Sequence, residues 1–390
     1  MSSTRIASPA RSKAKPLAFY PASRDTSRSI LSRLCVKWCP RLESNQCLSL
    51  RSALFYPLNY GDECTIAFLS KIHTIDPEKT PVLYEKYKKM QIIFNKVEKF
   101  LETPSILPKI IIIYGPTACG KTALSISIAK YLGTEIISAD SRQIYRHMDV
   151  GTGKITREQI QWIPHHMLDI RNPDEEYSVG EYQKETFEII QDMHSRKKVP
   201  ILCGGTGLYL DSVAFHFDIP PMKPDWEYRE KLDKIRCEKD NEYLWKMLHD
   251  LDREYAETIH PNSHHAVIRA LEVLEKTGKS KSELRVKKDP LFDILFLTPY
   301  DGDRAKLYER INARIEEMFE NGLMDEVKSI LEKWYNSDCK GLTTIGYKEV
   351  IEYFDGKCTL NECKAKIQQG NRNYAKRQLT WFRKYEEWNN

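Results

Sequence analysis

Apolar and polar positions change their rhythm several times along the chain. Ile110, Ile111, Ile112 and Ile113 form an unbroken β-branched run, which predicts a strand buried on both faces. From Ala123 to Leu132 the apolar residues recur at helical spacing and stop at Gly133. Ile136-Ile137 predicts a short second strand, residues 182–193 a helix, and residues 197–203 a third strand. The rhythm then shifts. Residues 217–224 form a proline-rich linker, and charged helical stretches follow over 226–239, 241–260 and 264–277, the last closed by Gly278. Residues 292–297 return to a strand pattern, and from Asp303 the chain reads as helical to its end. Strands alternating with helices predict an α/β fold with a parallel sheet core, a helical insertion and a helical C-terminal region.

The loop after the first strand carries the strongest chemical signal. Gly115-Pro116-Thr117-Ala118-Cys119-Gly120-Lys121-Thr122 fits G-x-x-x-x-G-K-[ST] without mismatch and stands between a predicted strand and a predicted helix. In that setting backbone N–H groups and the helix N-terminus converge on one anion. Lys121 adds a point charge, and the Thr122 hydroxyl is placed to hold Mg²⁺. The fold class is therefore P-loop NTPase-like. Asp140 follows the second strand and falls on the same carboxyl-end rim as Lys121, where open α/β sheets bind ligands. A lone aspartate there also suits a helix cap or turn. Gly204-Gly205-Thr206 ends the third strand and lets backbone approach a ligand. Gly151-Thr152-Gly153-Lys154 is a weaker glycine loop. Adjacent His165 and His166 point to opposite faces of an extended segment, so they read as structural and not as one metal site. No acidic pair ends a hydrophobic strand as an ATPase would require, which argues against simple ATP hydrolysis.

Composition separates the start of the chain from the rest. Residues 1–60 hold 10 Lys/Arg and 2 Asp/Glu, a balance of +8, so the remaining residues carry −3 of the net +5. Nucleic-acid binding must then come from a local patch. Residues 1–89 are expected to be a targeting, disordered or mis-annotated extension, Met90 being the true start under the last reading, and residues 80–103 a helical lead-in to the core. The segment around Trp38–Gln46 resembles peptides translated spuriously from a tRNA gene. The core is divided into 90–220, a helical insertion at 221–290, and a C-terminal part at 291–390. No apolar run reaches membrane-spanning length. The ten cysteines lack paired C-x-x-C spacing and are read as reduced thiols. Residues 371–385 mix basic and aromatic side chains, which suits stacking on RNA or, equally, an amphipathic core helix.

Taken together these motifs resemble the tRNA dimethylallyltransferase family over roughly Lys109 to Trp388. The resemblance rests on the phosphate loop, residues 140–145, Asp149-Val150-Gly151-Thr152, residues 204–209, residues 268–273, Gly346-Tyr347-Lys348-Glu349, and Tyr374-Ala375-Lys376-Arg377-Gln378. It implies transfer of a dimethylallyl group from dimethylallyl diphosphate to N6 of the adenosine just 3′ of the anticodon, in tRNAs reading codons that start with U. It also implies that the phosphate loop holds a prenyl diphosphate, which accounts for the missing ATPase acid pair. Asp140 is then the general base, with Lys121 and Thr117 assisting and Mg²⁺ at Thr122. The implied tRNA contacts are Asp140, Ser141, Arg142, Gln143, Thr206, Arg229, His265, Ala266, Val267, Ile268 and Arg269.

Two positions depart from the family's pattern. Cys119 replaces a serine, and its thiol is expected to make the protein sensitive to alkylation. Ala266 replaces an arginine, whose charge Arg269 or His265 is expected to supply. The expected setting is a cytoplasmic monomer of bacterial or organellar type, acting on the anticodon stem-loop. The rival readings are an adenylate isopentenyltransferase, a small-molecule P-loop kinase, and a non-catalytic RNA-binding protein with a relict loop.

Overall fold

The computed structural model describes residues 81–386, apart from 218, 221, 285–288 and 334. Expectations about residues 1–80 lie outside the described residues. The first described element is helix α1, Pro81–Glu102, followed by strand β1, Lys109–Tyr114. The boundary expected at residue 89 falls inside α1, where Tyr87 is 1% exposed. Structured chain therefore begins ahead of Met90.

Helix α2 (Lys121–Leu132) and strand β2 (Ile136–Ser138) follow. Strand β3 is only His165–His166, leading to α3 (Val179–Ser195) and β4 (Ile201–Gly204). The expected strand at 197–203 starts later, because Pro200 has no N–H for a ladder. Helix α3 opens on a capping box in which Ser178 and Glu181 satisfy each other's backbone N–H groups. Helix α4, Gly207–Ala214, runs from the end of β4.

The insertion consists chiefly of α5 (Trp226–Lys239), α6 (Asn241–Leu251) and α7 (His264–Thr277). The single helix expected over 241–260 breaks at Asp252, which leaves helical backbone angles and caps a fresh turn at Tyr255. Leu232, Leu244, Leu248, Val267 and Leu271 form the insertion's own core. Strand β5, Asp293–Leu297, returns the chain to the sheet. Helices α8 (Arg304–Glu320), α9 (Leu323–Glu332), α10 (Tyr347–Phe354) and α11 (Leu360–Glu386) complete it.

All five strands are parallel, in the order β3-β2-β4-β1-β5. Strand β1 lies inside the sheet, paired Ile111 to Ile201 on one side and Ile111 to Leu295 on the other. Ile110 through Ile113 are fully buried, as a strand covered on both faces requires. One face packs Phe94, Val97, Leu124 and Ile128 from α1 and α2. The other packs Tyr182, Leu210, Phe382 and Tyr385 from α3, α4 and α11. Connections from β1 leave toward β2 on one side and β5 arrives on the other, so the carboxyl end of β1 lies at the switch point where such sheets bind ligands.

Candidate active site

The loop from Gly115 to Thr122 leaves β1 and enters α2. Gly120 holds φ 99° at the cap of α2, a left-handed conformation that favours glycine. The Lys121 ammonium bends over the loop and donates to the Pro116 carbonyl at 2.7 Å. Cys119 is 3% exposed and burial pushes its thiol pKa up, against the pull of Lys121. Thiolate character and exposure govern cysteine reactivity, so the expected alkylation sensitivity is corrected: Cys119 is a packed loop residue.

Three loops meet at a cleft of about 350 Å³. The phosphate loop contributes Thr117, Lys121 and Thr122. The segment after β2 contributes Asp140, Ser141, Arg142 and Gln143. The Asp140 carboxylate accepts the Arg142 N–H at 2.9 Å, fixing the turn that brings it to the rim. Thr206 lies behind this turn, and its hydroxyl oxygen accepts the Ser141 N–H at 2.9 Å. A larger apolar cleft of about 650 Å³ borders β5, but its carboxylate, Asp293, is already paired with Lys109.

The third side of the cleft comes from C-terminal residues. Arg314 of α8 reaches between two loops, its Nη1 lying 3.5 Å from the Thr117 hydroxyl and its Nη2 donating to the Gly153 carbonyl at 3.1 Å. Burial lowers its pKa, and the Asp140 carboxylate opposes that shift. Tyr374, Arg377 and Gln378 of α11 also line the cleft. Burial and the Asp140 charge push the Tyr374 phenol up to about 12, so it stays a neutral hydrogen-bonding group. Arg314 and Tyr374 were not singled out as site residues in the sequence. Arg314 lies 197 residues from Thr117 inside an ordinary amphipathic helix, and no local pattern marks it.

The weaker glycine loop at 149–154 turns out to be a wall of this cleft. Glu326 of α9 accepts the N–H groups of Asp149, Val150 and Gly151 at 2.8, 2.7 and 3.0 Å, and the Tyr347 hydroxyl donates to the same carboxylate at 2.6 Å. Lys154 is buried and pairs with Asp149 and Asp169 at 2.6 Å each. It holds the loop and does not face a ligand. His166 pairs with Glu135 at 2.8 Å, in keeping with a structural role. His165 lines the cleft; its Nδ1 lies 2.8 Å from the Ile163 carbonyl, and its buried Nε2 has no hydrogen-bond partner among the described residues. Burial lowers the His165 pKa, which keeps the ring neutral with Nε2 as an acceptor.

The remaining expected contacts lie in the insertion and do not line this cleft. Glu272 is fully buried and accepts from Arg229 at 2.9 and 2.8 Å, from Arg269 at 2.5 Å and from the Asp225 N–H at 2.7 Å. Those hydrogen bonds hold the Glu272 carboxyl below its ordinary range, although burial opposes them. Arg229 and Arg269 thus serve a buried carboxylate first. Val267 and Ile268, expected among the tRNA contacts, have their side chains in the insertion's core. His265 is the exposed member of the run.

The basic and aromatic tail is likewise divided. Phe382 and Tyr385 are core residues, Lys384 and Tyr385 both donate to the buried Asp211 carboxylate, and Trp381 Nε1 joins them at 3.0 Å. Arg377 faces the cleft.

For Mg²⁺ the donor set is made of hard oxygens, the Thr122 hydroxyl and the Asp140 carboxylate in one cleft. Among the described residues no cluster of three His, Cys, Asp or Glu forms an all-protein metal cage. One or two protein oxygens completed by phosphate oxygens and water is the usual environment of Mg²⁺, so these residues fit it.

Residues 143–385 match the family model described as IPP transferase. A tRNA dimethylallyltransferase from Caldanaerobacter subterraneus subsp. tengcongensis is 44% identical over 282 residues, covering 71% of this chain and 90% of the relative. One from Bacillus cereus is 45% identical over 277 residues, covering 70% and 87%. Among solved structures, the tRNA isopentenylpyrophosphate transferase of Bacillus halodurans is 40% identical with a TM-score of 0.51, covering 70% of this chain and 86% of the other. A eukaryotic dimethylallyltransferase acting on tRNA is 31% identical with a TM-score of 0.60, covering 70% of each. With a phosphate loop, a rim carboxylate and a C-terminal helix meeting at one cleft, with a family model matched over residues 143–385 and with 44% identity sustained over 282 residues, this chain belongs to the IPP transferase family.

Proposed function

We propose that this protein is a tRNA dimethylallyltransferase, moving a dimethylallyl group from dimethylallyl diphosphate to N6 of the adenosine just 3′ of the anticodon. The acceptor tRNAs are those reading codons that start with U. The observation that carries this reading is the convergence of a phosphate loop and the Asp140 carboxylate on one cleft, with Arg314 between them.

The exocyclic N6 lone pair is delocalised into the purine and is a weak nucleophile. Asp140 accepts its proton as the N–C bond forms. The C–O bond to diphosphate breaks, and negative charge accumulates on the leaving group. Loop N–H groups, Lys121 and Arg314 stabilise that charge in a partly dehydrated cleft, where such contacts are strongest. The Thr117 hydroxyl lies beside Arg314 and orients the same end of the donor. The Thr122 hydroxyl would hold Mg²⁺, which when bound would further neutralise the diphosphate.

The base must leave the anticodon-loop stack to enter the cleft, which costs a few kcal/mol. Ser141, Arg142, Gln143 and Thr206 line or support the acceptor side, and Arg377 adds charge at the same face. Exposed His265, with Ala266, Arg229 and Arg269 nearby in the insertion, forms a second contact region on the tRNA. A macromolecular acceptor makes use of both regions, whereas a free nucleotide fills only the first. No described helix is long and apolar enough to cross a membrane; we place the protein in the cytoplasm, acting as a monomer on its tRNA.

The test is a transfer assay with Mg²⁺ and radiolabelled dimethylallyl diphosphate, offered either unmodified anticodon stem-loop RNA or AMP. Label in the RNA alone is the expected result. Label in AMP alone makes the protein an adenylate prenyltransferase. Label in neither, with phosphate transfer from ATP, makes it a kinase.

A further inference from the structure

The mechanism above does not use Gln378, a buried polar side chain that lines the cleft. Gln378, on α11, is 5% exposed. Its Oε1 accepts the Thr117 N–H of the phosphate loop at 2.8 Å, and its Nε2 donates to the Gly205 carbonyl at 2.8 Å. The two partners determine the amide's orientation, because a backbone N–H only donates and a carbonyl only accepts. The approach is close. A Cβ on Gly205 would meet Nε2 at 2.3 Å, so glycine at this strand end is what admits the amide.

From Gly205 the connection continues without a gap to the base. The next residue, Thr206, accepts the Ser141 N–H through its hydroxyl oxygen at 2.9 Å, and Asp140 immediately precedes Ser141. The Thr206 N–H donates to the Ala139 carbonyl at 3.1 Å, binding the same two segments again. On the donor side, Thr117 belongs to the loop that carries Lys121 and touches Arg314. One side chain from the last helix thus spans the gap between the donor loop and the loop that positions the base.

We propose that Gln378 is a positioning residue, which sets the spacing between the phosphate loop and the Asp140–Thr206 segment so that the allylic carbon and N6 meet in attacking geometry. This rests on the transferase reading above. It predicts a defect in turnover more than in binding. Each loop still holds its own ligand without the bridge, whereas a misplacement of about 1 Å between reacting groups costs about 100-fold in rate.

Two substitutions test it, with wild-type transfer to stem-loop RNA measured first. Gln378→Met keeps the volume and loses both hydrogen bonds. Its expected kcat falls about 100-fold while KM for dimethylallyl diphosphate and for RNA stays within about threefold. Gln378→Glu keeps the acceptor toward Thr117 but, when ionised, opposes an oxygen to the Gly205 carbonyl. Protonation restores the donor, so the ratio of its kcat to wild type rises as pH falls through the range in which the introduced carboxyl takes up its proton. Dividing by wild type at each pH removes the titration of the base. Gln378→Met with kcat within about twofold of wild type and a lowered Tm overturns the proposal and leaves a purely structural glutamine. Gln378→Glu with kcat within about twofold of wild type at about pH 8, where its carboxylate opposes the Gly205 carbonyl, overturns it too, and decides the matter should Gln378→Met fail to fold. Wild-type protein that transfers nothing overturns both the function and this role, an outcome distinct from active wild type with active variants.

Discussion

Asp140 is the residue on which the chemistry turns. It sits at the rim of the cleft with its carboxylate held by the Arg142 N–H, and the phosphate loop stands across from it. Asp140→Asn preserves the shape and most of the hydrogen bonding but removes the proton acceptor. Its kcat should fall by about 10²–10⁴, the usual contribution of a positioned general base, while RNA affinity changes little. Single-turnover transfer and filter binding on the same preparation check this; normal turnover would remove Asp140 as the base. Lys121, Thr122 and Asp140 were legible in the sequence because their geometry is local: a loop pattern of eight residues, and an acid at a strand end. Arg314 was not, and Gln378 was legible only as part of a family motif without its role, since they reach the same loop from 197 and 261 residues away. Nothing in the spacing of an amphipathic helix reveals which polar side chain will turn inward. Burial also reverses expectations residue by residue. Cys119, a thiol where the family has serine, was expected to be open to alkylation, but it is 3% exposed beneath the loop with its thiol pKa raised by burial.

At the level of elements, the C-terminal helix shows where composition misleads. Its basic and aromatic residues fit an RNA platform and a core helix equally well, and periodicity alone does not separate the two. The structure gives α11 mainly to the core: Ala375 and Tyr385 are fully buried, Phe382 is 3% exposed, and Asp211 is held by three side chains of this helix. Deleting residues 371–390 should therefore abolish cooperative unfolding, as followed by circular dichroism. Simply weakened RNA binding with an intact melt would restore the platform reading. The start of β2 carries a second element-level lock. Glu135 is buried against Arg196, Lys198 and His166, and the Arg196 guanidinium leads in holding its carboxyl far below the ordinary range. A folded-state pKa below the unfolded value means that Glu135 stabilises fully above the ordinary carboxylate value of about 4.3, and that this is lost as pH falls below it. Glu135→Gln should cost about 1–3 kcal/mol at neutral pH, and the gap to wild type should shrink between about pH 5 and pH 3. A gap that stays constant over that range would show that the ion pairs do not act in this way.

For the whole molecule, the order of strands, insertion and return strand could be read from the sequence because each change of rhythm is long. The reach of the folded part could not. The peptide resembling a translated tRNA gene suggested a start at Met90, but the helical lead-in is a full helix opening at Pro81, in which Tyr87 is 1% exposed and Phe94 and Val97 pack on the sheet. Amphipathic helices ahead of a strong motif are easily dismissed as lead-in, because their apolar positions are few and each is decisive. A chain starting at Pro81 behind an initiator Met should match the full chain in Tm and in transfer to stem-loop RNA, since the family model begins at residue 143 and similarity to its relatives covers about 70% of the chain. A chain starting at Met90 loses the first turns of α1, with Tyr87 and its hydrogen bond to Gln91 at 3.2 Å. That loss should appear as a lower Tm with kcat little changed, because α1 packs on the face of the sheet formed with α2 while Asp140 and Arg314 meet at the strand ends. Equal Tm for the two truncations would show that Tyr87 contributes nothing to the core. Loss of transfer in both would place part of the working enzyme in residues 1–80, and would do so independently of the stability measurement.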